Sequence, residues 1–144
     1  RAAFPDKEFE TVERLLYTVK LKLPWRRFAL ELASGLGRDL VFVAVNKRSS
    51  ASGFPPIRTW SDAEVEKLLS DASHKARERG VRNPLRVAAD ARDVAGAIID
   101  CAAGQGADHI VVGSGKASLA GRLLLGSVSE AVVRLAPCTV TVAR

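Results

Sequence analysis

Between Ile110 and Ser129 the chain reads IVVGSGKASLAGRLLLGSVS: an apolar run, a glycine-bearing loop and a serine-rich helix start. This order of residue types suits the capture of a phosphate. Gly113 and Gly115 let the backbone turn tightly and approach a ligand with no Cβ in the way. Ser127 opens a predicted helix whose first N–H groups lack intrahelical partners. Those groups, with the positive end of the helix dipole, attract an anion. Ser127 and Glu130 also have the spacing of a capping box, which needs no ligand.

A phosphate site needs charge around it, and the chain carries a formal +6 with an isoelectric point near 9.8. The expected rim combines Lys20 and Lys22 after the first strand, Arg26 and Arg27 at the next helix start, and Lys47 and Arg48 after the second strand. Basicity alone does not separate nucleotides, nucleic acid and anionic lipid. Position does: in an open doubly wound sheet, ligands lie outside the carboxyl ends of the strands where the winding reverses. If strands one and four flank that reversal, the loop after Val19 faces the loop after Val112.

The elements that must deliver those loops alternate strictly. RLLYTV (14–19) reads as a short strand, and a helix from Pro24-Trp25 carries Phe28, Ala29, Leu32 and Leu36 on one face until Gly37 ends it. LVFVAV (40–45) is a strand covered on both faces. Residues 46–60 show no period and are expected to form a loop. Ser61 and Glu64 form a capping box before a helix with Val65, Leu68, Leu69, Ala72 and Ala76 as its apolar stripe, closed by Gly80. LRVAA (85–89), a helix over 93–103, HIVVG (109–113), the helix from Ser127 and a strand CTVTVA (138–143) complete the series. Strands alternating with helices imply a parallel sheet with helices on both faces and right-handed crossovers.

At 144 residues the chain is expected to form one domain over 14–144 that buries about two thirds of its unfolded surface, with residues 1–13 as an extension or linker. No apolar run approaches the roughly 20 residues of a membrane span, and the first residues do not resemble a signal peptide. Cys101 and Cys138 form no CxxC pair, the two histidines stand far apart, and no metal-ligand set is visible. Both thiols are expected to be buried and reduced. The chain starts at Arg1 and contains no methionine, which suits a domain excised from a longer protein or a small protein with a trimmed start.

From about Arg14 to Arg144 the chain resembles a universal stress protein domain, most closely over GRLLLGSVSEAVVRLAPCTVTV. The resemblance implies a three-layer α/β fold with a five-stranded doubly wound parallel sheet of order 3-2-1-4-5, of the adenine nucleotide alpha hydrolase-like kind. Nucleotide-binding members show Gly, two residues, Gly, nine residues, then Gly followed by Ser or Thr. Gly113 and Gly126-Ser127 match the outer positions; the inner one is Lys116, with Gly115 one residue early. Either the loop is reshaped or Lys116 blocks a close backbone approach. Such relatives also carry an Asp at the end of strand one, where this chain has Lys20. Losing a charge-assisted hydrogen bond there costs about 1.5–3 kcal/mol, or roughly ten- to hundredfold in affinity. Lys20 could instead pair with a phosphate as a point charge.

The positions that carry over are Thr18 and Lys20 at the end of strand one, Val45 at the end of strand two as adenine lining, Gly113, Ser114, Gly115 and Lys116 in the loop, and Gly126, Ser127, Val128 and Ser129 at the helix start. The implied ligand is ATP, AMP or cyclic di-AMP, with Mg only alongside ATP, and the implied partner is a second copy paired through the last strand, 138–143. No nucleophile, base and orienter set is visible, no Walker-type loop, and neither His74 nor His109 reads as catalytic. Enzyme function is therefore the weaker expectation. Four readings follow: a cytoplasmic adenine-nucleotide sensing domain, a nucleotide-free dimerisation or interaction module, weak nucleotide hydrolysis, and a regulatory domain of a membrane transporter or sensor kinase. Nucleic acid ranks lower, because no aromatic stacking platform is apparent.

Overall fold

The computed structural model describes residues 14–18, 26–50, 52–53, 55–113 and 126–143. Within them run β1 (Arg14–Thr18), α1 (Arg26–Leu36), β2 (Asp39–Ser49), β3 (Ile57–Arg58), α2 (Asp62–Glu78), β4 (Leu85–Ala91), α3 (Val94–Gly104), β5 (Ala107–Gly113), α4 (Ser127–Leu135) and β6 (Thr139–Ala143). β1 pairs in parallel with β2 on one side and β5 on the other, β2 with β4, and β5 with β6. The parallel strands therefore lie in the order β4, β2, β1, β5, β6. This is the expected 3-2-1-4-5 arrangement, and the reversal of winding falls between β1 and β5.

Period-2 alternation in β2 explains the two cores. Leu40, Phe42 and Ala44 face Leu30 and Ala33 of α1 and the apolar stripe of α2. Val41 and Val43 face the other way, with Ile110 and Val112 of β5, against α3 and Val132 of α4. Each Val, Leu, Ile or Phe side chain so buried contributes about 1.5–3 kcal/mol. The five stripe residues expected on α2 are all buried, and its Ser61–Glu64 capping box is complete. Gly37 and Gly80 end their helices at φ 63° and 82°, conformations that a Cβ would strain.

Several expectations are corrected. Leu36, expected on the α1 stripe, is 56% exposed, while Leu30 and Ala33 reach the core; the side chains of Phe28, Ala29 and Leu32 lie outside the described residues. FALELASGL is apolar on more than one side, so its period does not choose a face. Residues 46–60 are not all loop. β2 runs on to Ser49 and pairs antiparallel with β3, Arg48 opposite Arg58. Like charges so placed repel, and the Asp90 carboxylate between them takes a hydrogen bond from each, 3.4 Å from Arg48 and 2.9 Å from Arg58. The outer strands and α3 shift by a few residues at their ends. The cysteines are only partly buried, although both are free thiols. Residues 1–13, the Pro24-Trp25 helix start and Val19 lie outside the described residues.

Candidate functional site

β5 ends at Gly113, which stands in register with Ala143 of β6 and is buried. α4 begins at Ser127 with Gly126 as its N-cap, in an extended conformation (φ −61°, ψ 154°) and without a side-chain cap. The expected capping box is absent because it is out of register. With Gly126 at N-cap, the N3 position is Ser129, and Glu130 falls one residue late; its N–H donates to the Gly126 carbonyl at 2.9 Å. The Ser129 hydroxyl instead donates to the Gly113 carbonyl oxygen, across 16 positions of sequence, inside a nearly closed environment. A bond between the end of a strand and the start of the next helix thus fixes the two ends of the 114–125 connection.

The consequence is electrostatic. Among the described residues no side-chain cap bond is made at the start of α4, and the positive end of its dipole lies at the carboxyl edge of the sheet. Ser127 is exposed at this end, and Val128 packs on the α3 side of the sheet. Thr18 closes β1 opposite Val43, and Val45 lies two residues further along β2, half-buried on the α3 side. Topology therefore brings Thr18, Val45, Gly113 and Gly126–Ser129 to one edge. Lys20, Ser114, Gly115 and Lys116 lie outside the described residues.

Of the expected basic rim, Lys47 is exposed and Arg48 departs from the expectation, while Lys22 and the side chains of Arg26 and Arg27 lie outside the described residues. Arg48 is tied to Asp90, and Arg58 to both Asp90 (2.9 Å) and Asp62 (2.7 Å). These hydrogen bonds hold the Asp90 carboxyl below its ordinary range and raise the Arg58 guanidinium, through Asp90 first and Asp62 second. Arg48 thus neutralises a neighbour rather than waiting for a phosphate. Two clefts flank β4, of about 410 Å³ against α2 and about 610 Å³ against α3. Neither is lined by Gly113 or by the α4 start.

Sequence reasoning missed Asn46. It is 1% exposed; its amide donates to the Trp60 carbonyl at 2.7 Å and accepts from the Trp60 N–H at 3.1 Å. An Asn directly after the apolar run 40–45 was the available signal, since a buried amide must find partners. His109 is structural: its Nε2 lies 2.7 Å from the Thr141 hydroxyl on β6. Burial first, then Arg38, pushes its pKa down, against Asp108. Burial raises both thiols, with Asp108 adding to the effect at Cys138. No cluster of three metal-ligating side chains occurs among the described residues, and no helix there is long and apolar enough to cross a membrane.

The family model of the universal stress protein family matches residues 26–144. Among solved structures, a universal stress protein from Archaeoglobus fulgidus is similar at TM-score 0.70 and 24% identity, over 92% of this chain and 98% of that one. A universal stress protein from the same organism in complex with dAMP gives 0.69 and 21%, over 92% and 98%. A universal stress protein in complex with cAMP gives 0.69 and 20%, over 92% and 96%. No curated protein matches the chain.

Proposed function

Starting from a chain that belongs to the universal stress protein family, we propose that it is a regulatory domain that binds an adenine nucleotide at the carboxyl edge between β1 and β5. The observation that carries this reading is the start of α4, without a side-chain cap among the described residues and held against the end of β5 by Ser129. Two relatives of the same fold hold dAMP and cAMP, ligands that share an adenine base and a phosphate. In this reading the phosphate lies on the N–H groups of 127–129, Gly113 to Lys116 wrap it, and Thr18, Lys20 and Val45 meet the nucleoside. ATP, AMP and cyclic di-AMP are the candidates, with Mg accompanying ATP alone. The domain senses rather than catalyses, acts in the cytoplasm, and passes occupancy to a dimer formed along β6 or to an attached protein such as a transporter or kinase.

A second reading rests on Lys20 and Lys116, which stand where nucleotide-binding relatives carry Asp and Gly: an interaction module without nucleotide. Calorimetric titration with ATP, AMP and cyclic di-AMP at low salt decides between the two. The sensing reading expects saturable heat and a ligand-dependent rise in Tm, while no heat and no shift at millimolar ligand would sink it. Lys20→Asp then reports what that side chain does. A lysine that pairs with phosphate loses affinity on replacement, by roughly tenfold for a charge-assisted bond; one that displaces the nucleoside gains it.

A further inference from the structure

We propose that the outer edge of β4 is a self-pairing surface, on which a second copy of the chain adds its own β4 antiparallel about a two-fold axis at Ala88. β4 closes the sheet at the end opposite β6. Among the described residues it pairs only with β2, in unbroken register from Leu85 to Ala91. Proline, like charge or a bulge guards many natural edges. β4 has no proline or bulge over these residues, and its two charges are opposite in sign.

The occupant follows from the order of residues, LRVAADA. Side chains alternate along the strand: Arg86 meets Glu66 of α2 at 2.7 Å, whereas Val87 packs on the α3 side. Arg86 and Asp90 stand two residues on either side of Ala88, so a two-fold there sets Arg86 opposite Asp90 of the partner subunit, twice over. Opposite charges so placed attract, while registers centred on Arg86 or on Asp90 bring like charges together. Arg86 turns to the partner at small cost, because its pair with Glu66 is exposed on both sides and such pairs are weak. Each Asp90 oxygen takes one guanidinium bond and keeps a second acceptor site.

The other face selects the same register. Leu85 is 42% exposed, and Val87, Ala89 and Ala91 line the open cleft of about 610 Å³ between β4 and α3. The two-fold at Ala88 puts Leu85 opposite Ala91 and Val87 opposite Ala89, large against small at both places. Each copy's leucine then enters the other's cleft. A patch that complements itself on both faces in one register is what an isologous two-fold interface requires.

The test places single cysteines on the edge of a Cys101→Ala/Cys138→Ala chain and reads disulfide-linked dimer after mild oxidation. Ala88→Cys is expected to cross-link, because position 88 meets itself. Arg86→Cys is expected not to, since its two copies lie about 13 Å apart along the strands. In sedimentation velocity, Arg86→Glu sets like charges against Asp90 and is expected to raise the dissociation constant about tenfold with an unchanged far-UV CD spectrum. If that spectrum changes, Leu85→Ala decides in its place, with a rise of several-fold expected. A parent chain that is monomeric at every concentration, linking at position 86 in preference to 88, or a variant that associates as tightly as the parent would each overturn the proposal. Dimers formed along β6 alone leave the Ala88→Cys chain unlinked, which overturns it as well.

Discussion

Asn46 shows how one polar side chain holds an irregular segment in place. Its amide spans 14 residues to reach both backbone groups of Trp60, the residue just before the cap of α2, whose ring packs against the α1–α2 core. The return from β3 into α2 therefore hangs on one buried amide. Asn46→Ala removes both bonds and strands the Trp60 N–H and carbonyl, at about 1–3 kcal/mol. Urea unfolding is expected to show that loss in the midpoint, with little change in m-value; a midpoint within error of the parent would refute the role. Asp90 acts beside it through charge, bridging Arg48 and Arg58, which would otherwise face each other across the hairpin. Neither interaction could be read from the order of residues, because each joins groups that the chain brings together only after β2 has found β3 and β4.

At the scale of elements, the legible ones were those whose signals are local. α2 announces itself with Ser61 and Glu64 at one end, Gly80 at the other and an apolar stripe between, and all three occur as read. α4 has the same apparent signal in Ser127 and Glu130, yet a start one residue earlier puts Glu130 out of reach of the cap. β3 is two residues long, held by partners rather than by its own pattern. The pairing of β5 with β6 carries a titrating contact, His109 on Thr141. Its pKa lies below the ordinary 6.5, through burial and Arg38, with Asp108 opposing. The unfolded chain therefore takes up a proton that the folded chain refuses. The resulting stabilisation is present above pH 6.5 and is lost as the pH falls from there through the depressed folded-state value. His109→Gln does not titrate, so its stability is expected to decline less between pH 7.5 and 5.5 in parallel urea melts; identical slopes would remove His109 from the acid sensitivity of this edge.

For the whole molecule, the winding order mattered more than any motif, because it placed the reversal between β1 and β5 and so decided which loops share an edge. Strict strand–helix alternation made a parallel sheet legible in advance, and the family resemblance implied its order. The fate of the positive charge was not legible, since Arg48 pairs with Asp90 of β4 and Arg58 with both Asp90 and Asp62 of α2. The same order leaves β6 outermost, paired with β5 along one side only among the described residues. Val140 and Val142 are half-buried there, and Thr139 is exposed. An apolar edge of unpaired backbone groups invites another strand, and natural proteins that avoid such pairing place lysine on it. Dimerisation along β6 therefore predicts that Thr139→Lys, whose side chain points to solvent at the start of the strand, raises the dimer dissociation constant by about tenfold, or 1.4 kcal/mol, with the far-UV CD spectrum unchanged. Sedimentation velocity over a concentration series measures this directly. A parent chain that stays monomeric at every concentration would refute the dimer, and a lysine variant that dimerises as tightly as the parent would place the contact elsewhere on the molecule.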